Sequence, residues 1–249
     1  MSFEISYSEN FYNDISASAK TSAEVIVPYV MKLFHPKSVV DVGCGSGEWL
    51  RVFKNNGVQH IKGFDGRWIS ENQLVIEPSE FERTELSKPP KNPARYDLCI
   101  SFEVAEHLPP DSAEVFVDFL TALSSIVVFS AAIPQQGGTN HLNEKWQSYW
   151  IQLFEKRGYK THDFIRPKFW HHPSVALHYK QNTSVFIRSD VNIDVASVPR
   201  VTLTDVVHPD HYLAKISSHQ YSIKKFLIEF LPHYFRSKLS AVFGTKNPK

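Results

Sequence analysis

From about residue 23 to residue 188, short continuous apolar runs alternate with segments whose apolar residues recur every three or four positions. The runs read as buried strands and the periodic segments as amphipathic helices. Ala23 to Phe34 reads as a helix with Ile26, Val30 and Leu33 on one side, in spite of Pro28; His35-Pro36 ends it. Ser38 to Val42 is a strand, apolar apart from Asp41. A helix over Gly47 to Asn55 turns Trp49, Leu50 and Phe53 inward, and His60 to Phe64 is a short strand ending at Asp65. A third strand falls between Leu74 and Leu86 with no register fixed by pattern. Tyr96 to Ser101 is a strand, followed by a helix from about Asp111 to Leu123 and a buried-type strand from Ser125 to Ser130. Asn143 to Arg157 then carries Trp146, Trp150 and Phe154 at helical spacing, closed by Gly158. Tyr159 to Ile165 and Thr183 to Arg188 complete the pattern as an antiparallel pair. Strand–helix alternation with strands this apolar predicts an α/β fold, a mostly parallel sheet covered on both faces.

The last fifty residues differ in character, so we expect one domain over 1–190, its N-terminal helical part at 1–36, and an extension over 191–249. Within the extension, Tyr221 to Lys249 carries six Lys/Arg against one acid, with Phe226, Leu227, Phe230 and Leu231 as an apolar group and Pro232 as a kink. Such a basic amphipathic helix packs on its own chain, forms a homodimer contact, lies on an anionic membrane or docks on a partner enzyme such as a glycosyltransferase. Those alternatives stay open. A formal net charge of +1 gives no global argument for a nucleic-acid partner. Cys44 and Cys99 sit in apolar strand-like contexts, the usage of a reducing compartment. The acidic, polar start of the chain lacks the pattern of a signal peptide, and no window reaches the apolar length of a membrane span. The expectation is a cytoplasmic protein, membrane-associated only through its extension.

Chemistry concentrates where glycine does. Of ten glycines, seven lie at 43, 45, 47, 63, 66, 137 and 138, all just after or within strand ends. The carboxyl ends of strands form the ligand crevice of an open α/β sheet. The first group sits in "VVDVGCGSGEW", Val39 to Trp49. A dinucleotide fingerprint would need glycine at the sixth loop position, where Glu48 stands and would repel a pyrophosphate; the Gly-Lys-Ser/Thr of a phosphate loop is also missing.

The stretch resembles the glycine-rich signature of class I S-adenosylmethionine-dependent methyltransferases at every position. That resemblance implies a Rossmann-like fold with a seven-stranded sheet. It also implies a cofactor cradled by Asp41, Gly43, Cys44, Gly45 and Gly47, with Asp41 towards its cationic end. Asp65, in KGFDG 22 residues after Gly43, with Gly66, falls where a carboxylate takes the two ribose hydroxyls. Glu85, with Leu86, falls at the acidic position for the adenine amino group, where the family more often has Asp. In "YDLCISFEVAEHL", Ser101, Phe102 and Glu103 would border the methionine moiety.

Methyl transfer to an alcohol calls for a general base, and histidine suits that role near neutral pH. His107 and His141 both follow central strands and are the candidates. Near His141, Asn143 and Glu144 are candidates for bonding sugar-like hydroxyls, and Trp146 and Tyr149 offer flat apolar faces. Trp150 and Phe154 read as core. Glu144, His141 and His107 match no compact metal-ligand spacing, so no metal is expected. "GGTNHLNEKWQSYW", with "EVAEHLPP" before it, resembles a narrower bacterial methyltransferase group of cell-surface polysaccharide assembly. It implies a sugar hydroxyl or glycan phosphate as methyl acceptor. Two other readings remain: a small-molecule O- or N-methyltransferase, and a cofactor-binding but inactive scaffold. The loop after Ser101 lacks the Asn/Asp-Pro-Pro-Tyr/Phe motif of nucleic-acid methylation.

Overall fold

A computed structural model describes residues 9–192 and 204–218, with side chains in the first helix from Ser16 onward. That helix, α1 (Glu9–Phe34), starts well before Ala23 and carries Pro28 in its interior. Ala19, Ala23, Ile26, Val27 and Val30 make its buried stripe. The small polar residues that obscure this stripe in sequence, Ser16 and Ser22, turn inward too: Ser22 Oγ donates to the Ser18 carbonyl and accepts from the Ala176 amide.

The sheet has seven strands in the order β3-β2-β1-β4-β5-β7-β6. They are β1 (Ser38–Val42), β2 (His60–Asp65), β3 (Phe81–Arg83), β4 (Leu98–Phe102), β5 (Ile126–Ser130), β6 (Tyr159–His162) and β7 (Ser184–Arg188). The first five run parallel, and β7 is antiparallel to both β5 and β6. This is the Rossmann-like arrangement of class I methyltransferases. Side-chain alternation assigns each strand's residues to two separate cores. Val39, Ile100, Val128 and Val185 pack with α1 and α2 (Glu48–Asn55), while Val40, Cys99, Val127 and Phe186 pack with α3 (Ala113–Leu123) and α4 (Gln147–Glu155). Both faces are dry, which is why these strands read as unbroken apolar runs.

Several elements depart from expectation. The third strand has only three residues, with polar, largely exposed side chains at Glu82 and Arg83 and hence no legible pattern. The fourth helix starts at Gln147, because residues 131–146 form a long loop over the sheet. After His162 the chain leaves the sheet and forms two short helices, α5 (Ile165–Phe169) and α6 (Leu177–Asn182), that sequence did not indicate.

The chain divides into two units after Val206, beyond the expected boundary at 190. Residues 204–206 are stitched to the first unit: Asp205 accepts from the Ser148 amide and hydroxyl, the Val206 carbonyl from Gln147, and the Thr204 carbonyl from Arg166. In the second unit residues 209–218 are helical, and the expected amphipathic helix at Tyr221 to Lys249 lies outside the described residues. No helix among the described residues is long and apolar enough to cross a membrane.

Candidate active site

Strand β1 connects on one side to β2 and on the other neighbours β4, so the sheet has its topological switch between β1 and β4. A crevice opens there at the strands' carboxyl ends. It holds a cavity of about 500 Å³, within the range of small-molecule sites.

The glycine loop is its floor. The Gly43 and Cys44 amides both donate to the Phe64 carbonyl at the end of β2, at 2.7 and 3.1 Å, fixing the loop against the neighbouring strand. Gly43 has φ +84°, and a Cβ there would stand 2.2 Å from Cγ2 of Val104. Gly45 has φ +55° with nothing within 4 Å of the equivalent point, and it lines the cavity. Two different needs are thus met by two glycines: one lets chain pack on chain, and the other leaves room. Gly47 precedes α2 and packs against Ile76 instead of the cavity.

Asp41 and Cys44 line the cavity from β1 and its loop. Burial, and after it the charge of Asp65, holds the Asp41 carboxyl well above the usual carboxylate range. Asp65 accepts from the Gly45 amide through Oδ2 and from the Gly66 amide through Oδ1, both at 2.6 Å. Burial raises it to about 6 against the pull of those bonds and of one to the Trp68 indole. Trp68 also covers Gly66, where a Cβ would meet its ring at 2.2 Å. Asp65 and Gly66 therefore sit beneath an indole at the crevice edge and are not on the cavity wall.

Glu85 and Leu86 are not brought to the cavity. Leu86 is buried in the α3/α4 core, and Glu85 is exposed, paired with Lys88 at 3.3 Å and Ser87 at 3.1 Å. Ser101 is also internal: its hydroxyl donates to the Val42 carbonyl and ties β4 to β1. Phe102 does reach the cavity, packed on Trp49 at 4.3 Å between ring centroids and on Tyr179 at 5.6 Å. Glu103 follows with φ +55°, unusual for a non-glycine residue. Its carboxylate accepts from Asn182 Nδ2 and Gln136 Nε2, which hold it at the cavity wall. Neither Gln136 nor Asn182 carried a sequence signal.

The β4 and β5 loops meet opposite the glycine floor. The Glu106 carbonyl accepts from the Leu142 and Asn143 amides at 2.7 and 2.9 Å, so the long β5 loop is pinned onto the turn after β4. This brings His107 and His141 edge to face with centroids 4.8 Å apart, both lining the cavity. Burial, and then the neighbouring His141, pushes the His107 pKa down, against a hydrogen bond to the Asn140 backbone. Burial would raise the Glu144 carboxyl, but hydrogen bonds from His141, Gly137 and Gln135 outweigh it and hold it low. Those bonds, at 2.7–2.8 Å, make Glu144 a clasp of its own loop, not a free partner for a substrate hydroxyl. Asn143 is buried beneath the loop, and Tyr149 packs on the core. Trp146 is 42% exposed and leaves its indole available.

One grouping went unforeseen. Glu106, His107 and His141 place one ligand-capable atom each within 4.8 Å of one another. The sequence reading, which weighed Glu144 with the two histidines and expected no metal, missed Glu106 because convergence across 34 residues of chain leaves no spacing signature.

A glycine-floored crevice at the β1/β4 switch, under a sheet whose seventh strand is inserted antiparallel, defines a methyltransferase. The chain belongs to the methyltransferase-domain family, whose model matches residues 19–172. No curated protein matches it significantly. Among solved structures it is similar to the methyltransferase domain of bacterial CtHen1-C (20% identity, TM-score 0.50, 68% of this chain and 98% of that one). It is likewise similar to magnesium protoporphyrin IX methyltransferase ChlM from Synechocystis PCC 6803 with bound SAM (17%, 0.50, 74% and 87%). A SAM-dependent methyltransferase from Archaeoglobus fulgidus matches at 19% identity and TM-score 0.51, over 64% of this chain and 78% of that one. These likenesses establish the fold. The cofactor of such a domain is S-adenosylmethionine.

Proposed function

We propose that the protein methylates a hydroxyl oxygen of a saccharide-type acceptor, in surface-polysaccharide assembly, with a histidine-centred proton acceptor. The observation that carries this reading is the pair His107 and His141, which lines the same cavity as Asp41, Gly43 and Gly45.

The cavity residues fit the cofactor. Gly45 leaves open space, buried Asp41 offers a carboxylate to an ammonium or sulfonium centre, and Phe102 and Trp49 offer an apolar wall. Asp65 would accept from the two ribose hydroxyls once Trp68 yields. Bound S-adenosylmethionine supplies a methyl group on a sulfonium leaving group. What remains for the protein is alignment and removal of the acceptor proton. His107, its pKa lowered by burial, is neutral at pH 7 and able to accept one. Glu144 orients His141 through Nδ1 at 2.8 Å. For the acceptor, Trp146 offers the flat face on which a sugar ring can stack, while Asn143, Glu144 and Tyr149 support the loop.

The test is transfer from methyl-labelled cofactor to a panel of saccharides, phosphorylated glycans and small amines, read by mass spectrometry. Transfer to a saccharide hydroxyl is expected, falling about 10²–10⁴-fold in His141→Ala or His107→Ala, with S-adenosylhomocysteine binding retained. Transfer confined to nitrogen acceptors, or unchanged in both variants, overturns the reading.

A further inference from the structure

We propose that Glu106, His107 and His141 form a binding site for a divalent transition-metal cation on the acceptor side of the cavity. The role given to that cation rests on the proposed hydroxyl methylation; its binding does not.

Three features of the cluster point to a cation. The first is an unanswered carboxylate. Glu106 is fully buried, and neither carboxylate oxygen has a hydrogen-bond partner. Its own amide and that of Ala132 face it, and the Glu103 carboxyl stands alongside within reach of a shared hydrogen bond. Two neighbouring carboxylates out of water, with no base paired to them, are costly unless a proton or a cation joins them.

The second feature is the state of the imidazoles. His107 hydrogen-bonds the Asn140 backbone, and its Nδ1 is buried with no partner. His141 engages Glu144 through Nδ1 at 2.8 Å, which leaves Nε2 with the lone pair. Metal-binding histidines characteristically engage a backbone carbonyl or carboxylate through the other ring nitrogen, which fixes tautomer and ring orientation. Both rings here have such a partner, one of each kind.

The third is proximity. The ligand-capable atoms lie within 4.8 Å of one another. Ligands on a metal at about 2.1 Å stand roughly 3–4 Å apart, so a small movement of flexible side chains closes the site. The backbone is already held: Leu142 and Asn143 donate to the Glu106 carbonyl, and residues 105–107 form a tight turn.

Two imidazoles and one carboxylate suit manganese, iron, cobalt or zinc better than magnesium or calcium, which favour all-oxygen sets. Three protein ligands leave positions open for an acceptor oxygen. A cation there would take over the task given above to a free histidine: with both imidazoles ligating, it would acidify the acceptor hydroxyl, whose proton leaves to water as the O–CH₃ bond forms and the S–CH₃ bond breaks.

The experiment is titration of the chelator-stripped full-length protein with Co²⁺, followed by its visible absorption, and with Mn²⁺, followed by electron paramagnetic resonance. One ion per chain is expected, with affinity lowered at least 100-fold in Glu106→Gln and in His141→Ala, and about 10–100-fold in Glu144→Gln. Thermal melts of each variant separate lost binding from lost folding. Absence of binding by the wild type, or affinity undiminished from the wild type in Glu106→Gln and in His141→Ala, overturns the inference. If the stripped enzyme methylates saccharides at full rate and binds no ion, the cation is wrong and free histidine is the base. If one ion binds through these residues and no hydroxyl is ever methylated, the site stands and the proposed function falls.

Discussion

Alanine at Gly43 and at Gly45 should fail in different ways. Both positions have positive φ, +84° and +55°, so each substitution carries the left-handed penalty of about 1–2 kcal/mol. Only at position 43 does the new Cβ run into packed chain, 2.2 and 2.9 Å from the two methyls of Val104. That residue is buried and branched, and relieving the overlap costs a further 1–3 kcal/mol, roughly. The expected losses are therefore about 2–5 kcal/mol for Gly43→Ala and about 1–2 kcal/mol for Gly45→Ala, set against a total stability of order 5–15 kcal/mol. Urea unfolding of both variants, and of Gly43→Ala combined with Val104→Ala, measures this. The double variant should show a coupling of about 1–3 kcal/mol, because truncating Val104 removes the overlap and not the strain. Calorimetric titration with S-adenosylhomocysteine completes the contrast: Gly45→Ala fills cavity space and should weaken binding at least tenfold while remaining folded. Equal destabilisation at the two positions, no coupling to Val104, or undiminished ligand affinity in Gly45→Ala would refute the division of labour.

Three further expectations are independent of it. Burial holds Asp65 at about 6, and a carboxylate must be ionised to accept from two hydroxyls. Affinity for S-adenosylhomocysteine should thus fall roughly tenfold between pH 7 and pH 5, and a flat titration profile across that window sinks the assignment. The same raised pKa means the free protein binds this proton more tightly than the unfolded chain, so its stability falls as pH rises from about 4 through about 6; thermal melts over that window test the sign. Phe154 stacks on Phe186 with centroids 3.8 Å apart and is fully buried, so Phe154→Ala should cost about 3–5 kcal/mol in urea unfolding, and a loss under 1 kcal/mol contradicts its core placement.

Where a residue's role follows from its neighbours in sequence, the role was legible. Val39, Val40 and Val42 declare a strand buried on both faces, and Gly43 declares close backbone approach. Trp150 and Phe154 at helical spacing declare a core stripe, and all are found so. Where the role depends on convergence, it was not. Glu106 directly precedes His107 in the chain, yet nothing in its local pattern says that its carboxylate is buried among groups from other loops. Glu85 has the right position in the chain, but the short β3 ends at Arg83 and the side chain turns out to Lys88. Glu144 reads in sequence as a candidate for substrate hydroxyls because its three donors come from Gln135, Gly137 and His141, within a loop whose path sequence does not give.

The inserted β7 orders events during synthesis. Strand β6 is made before β7 but pairs only with it, and β7 covers the flank of β5. Until Ser184 to Arg188 arrive, β5 offers an open, apolar edge to any passing strand, and β6 has nowhere to go. The helix that carries His178 and Tyr179 to the cavity, and Asn182 to Glu103 at its wall, also immediately precedes β7. Ligand pocket and sheet edge are therefore sealed by the same stretch of nascent chain, and a ribosome that stalls before it releases a product both unfinished at its site and prone to aggregate.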